Sequence, residues 1–239
     1  MSQLRTALIA GFCANANPEK ALQQQAYLKS SMPHYGLTAP VLRKLTKEKI
    51  RELPITDAAT WRATALELWR KASHREERYA AIELIGFSHY RPWLDLATLP
   101  LLEEMIVTGA WWDIVDPIAT SFFGILLTNH PTQMRRTLRK WSRDDDPWRR
   151  RTAILAQLKF KGATDEELLF ELILPSVDEK YFFLRKAIGW ALREYAKTTP
   201  DTVIKFVTKH KERLSPLSKR EALRILIKDG QLDAIPRSP

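Results

Sequence analysis

Prolines and short capping residues divide this chain into apolar-periodic segments, and that punctuation constrains the fold more than any other feature of the sequence. Asn17-Pro18 reads as a helix cap followed by proline at the first helical position, where the missing N–H goes unneeded, and Thr199-Pro200 repeats the device. Thr164 with Glu167, and Ser218 with Glu221, read as capping boxes. Pro54, Pro92, Pro131, Pro175 and Pro216 fall between periodic segments, where each interrupts one helix and permits the next. Strands have little to draw on, because the chain has only eight glycines and no sustained apolar–polar alternation.

Reading between these marks predicts helices over 2–14, 18–30, 39–52, 57–71, 75–88, 98–108, 111–129, 132–142, 147–160, 165–174, 179–197, 201–213 and 217–228. Most come in pairs that recur roughly every 35 to 40 residues, the spacing of helical repeats. The expected fold is therefore all-α, a HEAT-like (ARM/HEAT superhelix) solenoid of antiparallel helix pairs forming one domain over residues 1–239, with a globular helical bundle as the competing architecture. Successive pairs of such a solenoid rotate slightly and leave a concave face.

Charge says what that face would meet. The 38 Lys+Arg against 28 Asp+Glu give +10, split as 14 and 13 over residues 1–120 and as 24 and 15 over residues 121–239, hence +1 and +9. A basic half of this kind meets phosphates, of nucleic acid or of an anionic membrane surface, unless the surplus serves only solubility. A basic concave cleft is a natural groove for a duplex. No apolar run approaches the roughly 20 residues that span a bilayer. Cys13 is the only cysteine, so neither an intrachain disulfide nor a cysteine metal cluster is available. The histidines at 34, 74, 89, 130 and 210 never pair at a spacing of three or four. No metal or cofactor is expected, and a reducing cytoplasm fits. Arg5 followed by "TALIAGFCANA" has some look of a signal peptide, but Leu4, Leu8 and Phe12 recur every four residues, as on an amphipathic helix.

Candidate chemistry starts in "GAWWDIVDPIATSFFGILL", residues 109–127. On a helix Trp112 and Asp116 share a face, whereas Trp111 is turned about 100° away and should pack inward. Pro117 disfavours helical geometry at Asp116, so a helix could equally begin at Pro117 with Asp116 as its cap. Further on, Trp190 shares a face with Lys186, Arg193 and Glu194, and Gly189 beside it suits either the approach of a phosphate backbone or close helix packing. Arg149, Arg150 and Arg151 fan around one turn, with Lys159 and Lys161 beyond, a run that would ordinarily be solvated charge; with a duplex in the groove, Arg149, Arg150, Lys159, Lys161, Lys186, Arg193, Lys219 and Arg220 are the expected DNA-facing cations. Lys219 and Arg220 fall in the first turn of a helix capped by Ser218, where they oppose the helix dipole unless an anion sits there.

Five blocks in order, "NPEKALQQQAYLK" at 17–29, "WWDIVD" at 111–116, "WRRRTAILAQLKFK" at 148–161, "KAIGWALREYAKT" at 186–198 and "PLSKREA" at 216–222, resemble the bacterial AlkD family of alkylpurine DNA glycosylases. The resemblance implies a HEAT-like solenoid that holds duplex DNA and hydrolyses the N-glycosidic bond of cationic bases such as 3-methyladenine and 7-methylguanine, without fully flipping the damaged base. It places the catalytic carboxylate at Asp116, the cleft tryptophans at Trp112 and Trp190, the active-site arginine at Arg151 and a DNA-facing tyrosine at Tyr27. Pro117 departs from the family's small polar residue. The implied protein is a monomer that works on double-stranded DNA in the cytoplasm, at the nucleoid, away from membranes. A non-catalytic binder of unusual DNA structures and a HEAT-type protein scaffold are the rival readings. On the glycosylase reading Arg151 would grip a flanking phosphate through its planar fork.

Overall fold

The computed structural model describes residues 2–232 and 234, and every regular element among them is helical. The α-helices are α1 (Gln3–Ala14), α2 (Pro18–Leu28), α3 (Ala39–Glu52), α4 (Ala58–Arg70), α5 (Arg75–Ile85), α6 (Leu99–Gly109), α7 (Trp112–Pro117), α8 (Gly124–Asn129), α9 (Pro131–Trp141), α10 (Pro147–Leu155), α11 (Glu166–Ile173), α12 (Phe182–Ala196), α13 (Pro200–Lys209) and α14 (Pro216–Lys228). Short 3-10 turns at Ser88–Trp93 and Leu96–Thr98 fill the stretch before α6 that lacked helical periodicity.

Several boundaries follow from the expected local chemistry. Asn17 caps α2 by accepting from the Lys20 amide, with Pro18 at the first position. Pro200 opens α13 after Thr199, although the Thr199 side chain makes no capping bond. Two expected capping boxes are displaced. Asp165, not Thr164, caps α11 by accepting from Leu168 N. Ser215, not Ser218, caps α14, because Pro216 takes the first helical position and leaves Ser218 inside the helix.

The chain divides between Leu101 and Leu102 into two compact units. In the first, α1 packs on α3 and α4, and α5 on α3 and α4. Leu4, Leu8 and Phe12 are all buried, so the stripe along α1 is a core face. Trp61 and Tyr90 bury their rings and satisfy their polar ends: Trp61 Nε1 donates to Leu84 O, and Tyr90 Oη accepts from Ile55 N. In the second unit, α9 packs on α8, α10 and α11, while α10 packs on α12 and α12 on α14. Contacts between next-but-one helices as well as neighbours are how stacked helix pairs share one core. That core runs from Ala119 through Ile154, Leu155, Ile188 and Leu192 to Leu223 and Leu226.

Candidate active site around Asp116

α7 forms despite its proline. Trp111 is its extended N-cap residue, and the Ile114 and Val115 amides both donate to Trp111 O. Ala110, just before, sits at φ 38°, a left-handed conformation that residues with a Cβ seldom enter. Asp116 is thus a helical residue, not the cap of a helix beginning at Pro117. Pro117 itself is helical at φ −62°, ψ −34°, and the helix carries straight on into a wider π turn over Ile118–Phe123 before α8. π turns inside helices are rare and gather at functional sites.

Asp116 meets Arg151 of α10 face to face. Arg151 Nε donates to Oδ1 at 2.7 Å and Nη2 to Oδ2 at 2.8 Å, a two-pronged clamp. The third arm of the guanidinium, Nη1, donates to the Phe183 carbonyl at the start of α12. The Arg151 side chain is 5% exposed and that of Asp116 14%, so the pair is shielded but the carboxylate still reaches solvent. Burial pushes the Asp116 carboxyl above its ordinary value and Asp113 adds to that, while the Arg151 fork pulls it back. Two donors facing two oxygens is the pattern of an ionised carboxylate, and it leaves one lone pair on each oxygen for water or substrate.

Aromatic rings wall the arginine. Its guanidinium carbon lies 6.0 Å from the Phe183 ring centre, and Phe183 packs on Trp111 and Trp148 at 5.1 and 5.2 Å between centroids. Trp111 therefore packs inward as expected, and its indole N–H is buried without a hydrogen-bond partner. Trp112 lies one turn before Asp116 and is half-buried; Trp190 of α12 is half-buried against the C-terminal core.

Each of the three nitrogens of Arg151 donates one N–H to Asp116 or to the Phe183 carbonyl, so its planar fork meets the carboxylate, with one further N–H left on each of Nη1 and Nη2. Several expected DNA-facing cations are likewise engaged with acids. Arg149 pairs with Asp144 and Glu103, and Arg150 with Glu179. Lys186 and Arg193 both close on Glu221, at 3.0 and 2.7 Å; burial acts against ionisation there, but the two cations hold the Glu221 carboxyl below its usual range. Gly189 serves close helix packing, because a Cβ there would stand 2.4 Å from Glu221 Cβ on α14. Lys219 is buried and donates to Lys211 O, three residues deeper in its helix than a Ser218 cap would have put it. Lys159 is exposed and bonds Ser121 Oγ, while Lys161 and Arg220 are exposed. Tyr27, in the first unit, is 75% exposed.

Two parts of the site escaped the sequence reading. The Phe183 carbonyl and the Trp111–Trp148–Phe183 cluster are marked only by "YFF" at 181–183, a signal any core segment could give. The acids that neutralise the cations come from other helices and cannot be paired from spacing alone. Among the described residues no group of three or more His, Cys, Asp or Glu is placed to hold a metal ion, and no helix is long and apolar enough to cross a membrane.

A family model described as DNA alkylation repair enzyme matches residues 8–226, nearly the whole chain and all of the site just described. The chain belongs to the DNA alkylation repair enzyme family. A solved structure described as a predicted DNA alkylation repair enzyme from Enterococcus faecalis is 31% identical, with a TM-score of 0.79 over 89% of this chain and 97% of that one. No curated protein matches the chain. Membership of this repair family gives the chain the all-helical HEAT-like fold and a role in the repair of alkylation damage, with DNA as its substrate.

Proposed function

We propose that this family member is a monofunctional DNA glycosylase that hydrolyses the N-glycosidic bond of cationic alkylated purines, 3-methyladenine and 7-methylguanine, in duplex DNA. The observation that carries the proposal is the Asp116 carboxylate, clamped by both prongs of Arg151 and with its side chain still 14% exposed. An alkylated purine is positively charged, so when the C1′–N bond breaks the bonding electrons neutralise the base and no general acid is needed. The sugar is left as an oxocarbenium-like cation, to which water adds with loss of a proton. A fixed carboxylate stabilises that developing charge and accepts a hydrogen bond from the water. Trp112 and Trp190 would offer their negative ring faces to the same cation. The protein would act as a monomer in the cytoplasm, at the nucleoid.

A second reading, a binder of unusual DNA structures, gains support from the same clamp, because an arginine that ties a carboxylate to a backbone carbonyl also describes a structural strut. One experiment separates the two. Incubation with methylated genomic DNA, followed by chromatography of freed bases, should release 7-methylguanine and 3-methyladenine, while duplexes carrying uracil or hypoxanthine stay intact. Retention of every methylated base would leave only the binder.

A further inference from the structure

α2 stands almost outside the fold it belongs to. Of its residues only Leu28 is buried, and Leu22 and Tyr27 are 70% and 75% exposed. Lys20, Gln23 and Tyr27, spaced by three and four, form one outward stripe. The helix is attached through the segment 34–37. Asn17 N donates to Tyr35 O at 2.8 Å, and Gln24 Nε2 to Leu37 O at 2.8 Å. Gly36, at φ 84°, comes so close that a Cβ would stand 2.0 Å from Asn17 O and 2.8 Å from Ala21 N.

That saddle is gripped from beneath by one side chain. The amides of Tyr35, Gly36 and Leu37 all donate to the Glu76 carboxylate, at 3.0, 2.9 and 3.2 Å, and Glu76 is 1% exposed in the first turn of α5. Glu77 beside it accepts from Tyr35 Oη, and the Tyr35 ring stacks on His74. A buried carboxylate that takes three consecutive backbone amides fixes the path of a segment more tightly than apolar contact, because any shift leaves donors unsatisfied.

We propose that Glu76 is a positioning residue for DNA binding: by clasping 34–37 it holds the saddle that carries α2, and so aims the Lys20–Gln23–Tyr27 stripe at the duplex. The inference rests on the reading of DNA as substrate with Tyr27 facing it. Since α2 gives only Leu28 to the core, releasing the clasp frees the helix without dismantling the unit.

The test is Glu76→Gln, which keeps one carbonyl acceptor and turns an amide N–H₂ toward backbone donors, compared with Glu76→Ala. Hydrogen exchange over residues 18–37 should speed up by about tenfold or more, the loss of a charge-assisted hydrogen bond, with α4 little changed. Duplex affinity should fall about three- to tenfold as α2 loses its preorganisation, while the single-turnover excision rate at saturating enzyme is kept. Unchanged exchange over 18–37 overturns the clasp. Faster exchange with unchanged affinity overturns its role in DNA binding, and a parallel Tyr27→Ala shows where the fault lies: normal affinity there too means α2 does not meet DNA, whereas weakened affinity leaves Tyr27 in place and removes Glu76. If neither Glu76 variant folds, Gln24→Ala, which cuts the bond to Leu37 O from the helix side, should lower affinity in the same manner, and normal binding by it is equally fatal.

Discussion

The Asp116–Arg151 clamp makes a quantitative claim about both folding and chemistry. Two charge-assisted bonds, at 2.7 and 2.8 Å, join side chains only 14% and 5% exposed. Removing one partner of such a shielded pair leaves the other charge uncompensated, at a cost of about 3–5 kcal/mol, so Asp116→Ala and Arg151→Met should each destabilise the protein on that scale. Removing both leaves no orphan charge. The double variant should therefore fall short of the summed losses by about 2–3 kcal/mol, the upper range for residues in one network. The pH dependence has a definite sign. The folded carboxyl is already raised above its ordinary value by burial. Without Arg151 it rises further, so the folded state takes up a proton more readily than the unfolded, and the destabilisation of Arg151→Met is greatest at neutral pH and shrinks on acidification. Urea denaturation at two pH values measures all of this. In single-turnover excision of 7-methylguanine, Asp116→Asn and Arg151→Met should each lose about 10²- to 10³-fold, the scale of one electrostatic stabiliser. The double variant should be no slower than the Asp116 variant alone, as expected of residues that act as a unit. Strictly additive stability losses, together with wild-type excision by Arg151→Met, would refute the clamp as the device that keeps the carboxylate charged and aimed.

Other consequences are simpler to test. Duplex affinity, followed by fluorescence anisotropy, should fall steeply with salt as phosphate contacts release counterions; a flat titration would argue against a phosphate-binding surface. Gly189→Ala places a methyl 2.4 Å from Glu221 Cβ and 3.0 Å from Ser218 O, so it should cost about 1–3 kcal/mol in chemical denaturation by forcing α12 and α14 apart, and an unchanged midpoint would mean that the helices part freely. The Glu67 carboxyl is held at about 2, down from 4.5, chiefly by the hydrogen bond from the Ser2 amide against a smaller push from burial. A depressed carboxyl stabilises the fold above its unfolded value and loses that contribution as pH falls toward the folded one, so Glu67→Gln should flatten the stability profile between pH 4.5 and 2, and an acid limb identical to wild type would contradict the assignment.

Sequence carried the helices and pointed to two members of the candidate site. Caps and prolines act on their own immediate neighbours, which is why Asn17-Pro18 and Pro200 mark helix starts correctly. The failures begin where two local signals compete. Ser215 and Ser218 are both good caps, and Pro216, which must sit at a first helical position, decides between them. Asp116 and Arg151 were each singled out, but their direct pairing joins residues 35 apart, and nothing in either segment announces that the guanidinium turns to a carboxylate instead of outward. The same holds for Gly189, whose reason lies on α14, and for Glu76, whose three donors lie about forty residues earlier in the chain.

The π turn after Pro117 has a bearing on how this chain tolerates change. A π turn amounts to an α-helix that has taken in one surplus residue without passing the extra rotation down its length. Losing a single residue from an ordinary helix swings everything beyond it by about 100° and scrambles the faces it presents. Between Ile118 and Phe123 the backbone already holds that surplus in reserve, so a one-residue deletion there would let the segment relax to regular winding while the Asp116 face and the buried face of α8 kept their bearings.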